Sequence, residues 1–136
     1  MKALWFTAMT SSQDLIAVVP AERIVERGTL RDADPLPRPF ITYTISTVTR
    51  TGHNTASSFV EVFVYDDIGT YDRIHDIIRR LRGYLESMPA ISRTREDGSK
   101  VLLSYASWQG QGPELSDPVL EAAYCSSSWQ LIGTGQ

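Results

Sequence analysis

Few side chains in this sequence are of the kinds that carry chemistry, and their spacing decides between catalysis and architecture. Cys125 is the only cysteine. It stands in Tyr124-Cys125-Ser126-Ser127-Ser128-Trp129, an alternating run that reads as a strand, so the thiol is expected to be a small core residue. A nucleophilic cysteine needs a basic partner, and only His53 and His75 are candidates. His53 lies in the turn-forming run Thr51-Gly52-His53-Asn54 with no carboxylate near it in sequence. His75 stands beside Asp76 on a helical segment, off the apolar stripe, at a solvated or cap-side position. Neither shows His-x-x-x-His or Cys-x-x-Cys ligand spacing. Asp66-Asp67 precedes that helix, where adjacent acids favour the positive N-terminal end without needing a cation. Gly110-x-Gly112 lacks the third glycine and the following helix of a dinucleotide site and reads as a turn. From this set we expect no enzyme, no metal and no cofactor.

Two features could suggest nucleic acid. Phe59-Val60-Glu61-Val62-Phe63-Val64-Tyr65 echoes the aromatic strand on which some RNA-binding domains stack bases. Ala56-Ser57-Ser58 stands where that motif carries basic and glycine residues, so a core or subunit-facing strand is the better reading. The cluster Arg79, Arg80 and Arg82 is balanced by Asp72, Asp76 and Glu86 and reads as a solvated helix face. The chain has 13 basic and 16 acidic residues, a net charge of −3. A protein that displaces counterions from phosphates needs the opposite balance.

The elements that position these residues follow from periodicity. Residues 2–11 form a helix with Leu4, Trp5, Ala8 and Met9 on one face. Ser11 or Ser12 caps a shorter turn carrying Leu15, Ile16 and Val19, closed by Pro20, and residues 23–26 are extended. Residues 27–39, with Gly28 and three prolines, make an exposed arm. In residues 40–48, Ile41, Tyr43 and Ile45 alternate with Thr42, Thr44 and Ser46, a strand with one buried face. Residues 59–65 make a central strand, apolar on both faces except at Glu61. Residues 70–88 carry the strongest helical stripe: Ile74, Ile77, Ile78, Leu81, Leu85 and Met88, stopped by Pro89. Burying those six side chains contributes on the order of 10 kcal/mol before entropy, so the helix must lie on the sheet. A hairpin pairs residues 91–95 with 101–108 across Glu96-Asp97-Gly98, and residues 124–131 make the last strand. The expected order is α-β-β-α-β-β-β: one α+β domain over residues 1–136, its mainly antiparallel sheet covered by helices on one face.

At 136 residues the chain is long enough for a core without staples. The single cysteine allows no intrachain disulfide and suits a reducing compartment. Lys2 followed by Ala3-Leu4-Trp5-Phe6-Thr7-Ala8-Met9 superficially resembles a secretion signal, but it lacks the usual cleavage site and reads as a packed helix. No apolar stretch approaches the ~20 residues needed to cross a bilayer, so no membrane partner is expected.

Val19-Pro20 leading to Arg23-Ile24, then a proline-bearing loop into Pro39-Phe40-Ile41-Thr42-Tyr43, resembles the opening of the tail-terminator (tail-completion) proteins of long-tailed bacteriophages. The apolar strand, the amphipathic helix and the β-rich close extend the resemblance over nearly the whole chain. These are patterns rather than catalytic signatures, and neighbouring head–tail joining proteins share similar folds. The resemblance implies a virion protein, assembled in the host cytoplasm. It would form a ring of about six copies that caps the tail tube at its head-proximal end, stops its growth, and presents a docking surface to a head-completion or neck protein. DNA would pass through the lumen without specific binding, which an acidic excess suits. Arg31, Asp32 and Asp34 of the arm, and Arg50 and His53 of the turn, are the residues expected to contact neighbouring subunits or the tube. The rival from another class is a small RNA- or ligand-binding domain using its aromatic sheet face.

Overall fold

The N-terminal segment folds as its three- and four-residue spacing predicts. Helix α1 (Lys2–Thr10) buries Leu4, Trp5, Ala8 and Met9. At its end the Thr10 and Ser11 hydroxyls donate back to the Phe6 and Thr7 carbonyls, bonds that compete with a continuing helix. Ser12, rather than Ser11, caps α2 (Gln13–Ile16), its oxygen accepting from the Leu15 N–H at 3.3 Å. The chain passes Pro20, makes one tight turn (Ala21–Arg23) and enters strand β1 (Ile24–Glu26). The computed structural model describes residues 2–27, 36–46, 49–50, 55–69 and 71–134.

Seven further strands and one helix follow: β2 (Phe40–Ile45), β3 (Thr49–Arg50), β4 (Ala56–Asp67), α3 (Tyr71–Leu85), β5 (Ile91–Thr94), β6 (Lys100–Gln111), β7 (Leu115–Asp117) and β8 (Ala122–Thr134). They form one eight-stranded sheet in the order β1-β2-β4-β8-β6-β5, with β3 added to β4 and β7 to β8. Among the described residues only β1 and β2 pair in parallel; the remaining pairs are antiparallel. The fold is thus mixed α+β, a strand-rich curled sheet with few helices.

The observed order departs in detail from the expected one. The extended piece at residues 23–26 is a sheet strand, and β3 and β7 are additional strands too short to show a period. Gly110 is not in a turn but inside β6, at φ +147°, where the register with β8 shifts between Trp108 and Gly110. A glycine that accepts this backbone bends the strand at a bulge. At Gly112 a Cβ would stand 2.4 Å from Ser126 Oγ, so the chain leaves the sheet pressed against β8. Strand β2 ends at Ile45, and Thr42, expected on an outer face, is buried.

That burial has a cause: β4 has apolar residues on both faces. Val60, Val62 and Val64 join Ile41, Tyr43, Trp129, Leu131 and the buried residues of α1, α2 and α3 in the larger core. The α3 stripe contributes Ile74, Ile77, Ile78, Leu81 and Leu85, and Met88 stays buried beyond the helix end. Phe63 and Tyr65, one residue out of phase, form a second cluster with Phe40 and Ala122, edged by Leu36, Leu120 and Tyr124. In it, Tyr65 stacks on Phe40 at 4.8 Å and on Tyr124 at 5.1 Å, and the Arg27 guanidinium lies 4.2 Å above Phe63. Arg38 fastens this cluster from outside. Its Nη1 donates to the Glu121 carbonyl at 2.8 Å and to Asp67 Oδ1 at 3.2 Å, and its Nη2 donates to the Leu120 carbonyl. The arm's C-terminal end is therefore anchored.

Candidate assembly surfaces

Cys125, His75, Asp66 and Asp67, among the residues singled out for chemistry, each have a defined place in the fold. Cys125 is fully buried on β8 inside the larger core, and burial pushes its thiol up from the usual range, with the Glu114 carboxylate adding to the rise. A neutral buried thiol is a poor nucleophile. His75, in the first turns of α3, takes a hydrogen bond on Nδ1 from Gln111 Nε2 at 2.8 Å, with Glu114 Oε1 3.5 Å from Nε2. The Tyr71 hydroxyl donates to the Leu115 carbonyl at 2.7 Å, so these two side chains tie the β6–β7 connection to α3.

Asp66 and Asp67 do not converge on a shared point. Asp66 is buried at the end of β4 and accepts both Nε and Nη2 of Arg73 across its two oxygens, as well as the Asp67 N–H at 2.8 Å. Asp67 meets Arg38 instead. Among the described residues no three His, Cys, Asp or Glu side chains gather as a metal site would require. No described helix is long and apolar enough to cross a membrane.

The arginine cluster of α3 is divided. Arg79 and Arg80 both donate to Asp76, and Arg80 Nη1 reaches the Asp14 carbonyl of α2 at 3.1 Å. Arg82 pairs with Glu86 and lies 4.4 Å over Trp108. The hydrogen bonds from Arg79 and Arg80 hold the Asp76 carboxyl below the usual carboxylate range. The stability from this depressed value is present above the unfolded-state value near ~4 and is lost as pH falls through the lower folded value. Asp76→Asn is therefore expected to lower the neutral plateau of a thermal-melt-versus-pH curve slightly and to flatten its acid limb, so that variant and parent converge at low pH.

The open surfaces lie elsewhere. On the sheet side bearing the second cluster, Phe59 is 54% exposed and Tyr105 52%. Beside Phe59, Thr44, Ser46, Glu61 and Ser128 line a shallow hollow of about 450 Å³. At one end of the strands, beyond the Asp67–Ala122 pair, Ile68 is 66% and Val119 71% exposed. Between α2 and α3 runs an open groove of about 700 Å³ lined by Ser12, Gln13, Asp14, Arg79, Arg80 and Gly83.

Of the expected contact residues, Arg31, Asp32, Asp34 and His53 lie outside the described residues. Arg50 sits in β3, paired with Ala56. Phe59 belongs to the strand expected to face the core or a subunit, and Tyr105 to the second strand of the expected hairpin; neither is among the expected contact residues. The signal for Phe59 was Glu61, two residues on and thus on the same face, since a carboxylate marks a wet surface. Compared with known proteins, the chain matches no protein-family model and no curated protein sequence.

Proposed function

We propose that this chain is a structural ring subunit of a long-tailed bacteriophage, a tail terminator that caps the tail tube and ends its growth. What carries the reading is the distribution of large exposed apolar side chains over unlike places on one small subunit. Phe59 and Tyr105 lie on a sheet face, and Ile68 and Val119 at a strand end. A ring subunit that also stacks on a tube needs unlike patches: two heterologous ones sideways, and at least one along the axis. A folded surface of 7354 Å² has room for them, since two lateral half-interfaces of ~800 Å² each cover only about a fifth of it. In this reading the helices cover one face of the sheet, and the other face and the strand ends meet neighbours, the tube and a neck protein.

Leu36 and Arg38 are held against the chain's own second cluster, and the contacts to neighbouring subunits or the tube are assigned in this reading to Arg31, Asp32 and Asp34. The acidic balance lets DNA pass without binding, and the role is architectural rather than catalytic. The RNA-binding alternative has weaker support. Phe63 and Tyr65, which would have to stack bases, lie in the second cluster under the protein's own side chains.

Purified protein added to growing tail tubes is expected to arrest elongation and to remain on one tube end as particles of about six subunits. Tubes that elongate undisturbed beside a monomer at high concentration would overturn the reading, and retardation of labelled RNA would favour the alternative.

A further inference from the structure

The sheet ends in two strands with nothing paired to their outer sides among the described residues, β1 at one end of the order and β5 at the other. An unpaired strand edge presents backbone donors and acceptors that a further extended chain can satisfy. On β5 these groups can be assigned. The Arg95 N–H donates to the Ser99 carbonyl at 2.7 Å, so in the antiparallel register the bonds to β6 fall on the odd residues, Ile91 and Arg93. The N–H and C=O groups of Ser92 and Thr94 then point outward from an exposed strand.

Strand direction decides what can pair there. From β1 the path runs parallel to β2, then reverses at β4, β8, β6 and β5. An even number of reversals leaves β1 and β5 pointing the same way. In a head-to-tail ring whose axis runs roughly along the strands, a neighbouring copy keeps that direction, so its β1 arrives beside β5 in parallel. A two-fold dimer would instead set β5 antiparallel against a second β5.

The side chains agree with the first arrangement. Arg93 pairs with Val101, and Glu26 with Tyr43; Val101 and Tyr43 both belong to the larger core. Arg93 of one copy and Glu26 of the next therefore fall on the same side of a shared sheet, with opposite charge. Glu26 already has a contact within its own chain, and a carboxylate has lone pairs for a second donor. Strand lengths match too, with three residues in β1 against four in β5.

We infer that the partner of the β5 edge is the β1 edge of a second copy of this chain, joined in parallel so that the sheets of a ring run on from subunit to subunit. The inference rests on the ring reading above and adds its lateral contact.

Cross-linking of the full chain in the presence of tail tubes tests it. Val25 and Ser92 fall on the same side of the joined sheet, opposite Glu26 and Arg93, within the strand spacing a disulfide spans. The buried Cys125 does not compete. The double variant Val25→Cys/Ser92→Cys is expected to give, on mild oxidation, a reducible ladder of covalent oligomers ending at the closed ring, and each single variant only monomer. In parallel, Ser92→Pro removes an outward N–H without touching the ladder to β6. It is expected to melt within a few degrees of the parent and to lose the ring. Covalent dimers from Ser92→Cys alone would overturn the inference in favour of two-fold pairing. Rings of the double-cysteine variant that do not cross-link on oxidation, together with rings that still form after Ser92→Pro, would overturn it and leave the ring reading standing. A parent protein that forms no ring on tubes would remove both.

Discussion

Trp129→Ala is expected to lower the unfolding free energy by about 3–5 kcal/mol, a large part of the ~5–15 kcal/mol that a domain of this size possesses. Trp129 lies fully buried on β8, between β4 and β6. Its indole meets Trp108 edge-on at 5.0 Å and Trp5 of α1 at 6.5 Å, so one side chain joins the sheet to the N-terminal helix. Its Nε1 donates to Ser127 Oγ at 3.2 Å. Truncation would open a cavity walled by rigid strands on either side, where relaxation is small and the cost falls high in the range. Trp129→Phe keeps most of the volume and is expected to lose about 1–2 kcal/mol. Denaturant titration of both variants checks the pair. Equal midpoints for Trp129→Ala and the parent would mean that the Trp5–Trp129–Trp108 contacts do not organise the core.

The same cluster shows what a one-dimensional reading captures. The stripes of α1 and α3 and the Asp97-Gly98 turn are local patterns, and each stands as its spacing implies; the alternation of β2 holds only in part, since Phe40 to Tyr43 are all buried. Gly98 takes φ +86°, and Asp97 Oδ1 accepts from the Ser99 N–H at 2.9 Å. What the spacing could not show is non-local. Phe40, Tyr65 and Tyr124 stack only because β2, β4 and β8 come together, and that stack covers Thr42 on a face that alternation alone leaves open. Short strands such as β3 and β7 are fixed by their partner strand and carry no period of their own. A bulge at Gly110 and a turn at Gly110 have the same local composition.

The candidate surfaces were less legible still. Charge and loop length pointed to Arg31, Asp32, Asp34, Arg50 and His53, whereas the exposed apolar side chains of the described residues are on strands and a strand end. For Phe59, a run of seven nearly apolar residues suggests a central strand, facing the core or a neighbouring subunit. In fact the cover on its side stops at Phe63, and the next positions on that side, Glu61 and Phe59, emerge into solvent. Strand edges have no composition at all. Only the order and direction of strands, set by register across the whole sheet, expose β1 and β5 as ends.

Arg73→Met is expected to cost about 2–4 kcal/mol, because it strands the Asp66 carboxylate at the β4–α3 junction. Removing one partner of a fully buried ion pair costs ~3–5 kcal/mol, and the half-exposed Arg73 side chain lowers the figure by letting water reach the vacated site. The fork of Arg73 spans both oxygens of a fully buried carboxylate one strand-end away from the first turn of α3, so it fixes where the helix leaves the sheet. The hydrogen bond to Asp66 raises the Arg73 pKa from an already high value. A raised basic group keeps its full contribution below its already very high unfolded value, so the guanidinium adds no pH dependence at neutral or mildly alkaline pH. Replacing both partners, as Asp66→Asn with Arg73→Met, removes the stranded charge and is expected to recover part of the loss, leaving the double variant more stable than Arg73→Met alone. A double variant that is the less stable of the two would mean that the carboxylate serves its other contacts, including the Asp67 N–H, more than it serves Arg73. The α3 junction would then be held by packing of Ile74 and Ile77 instead.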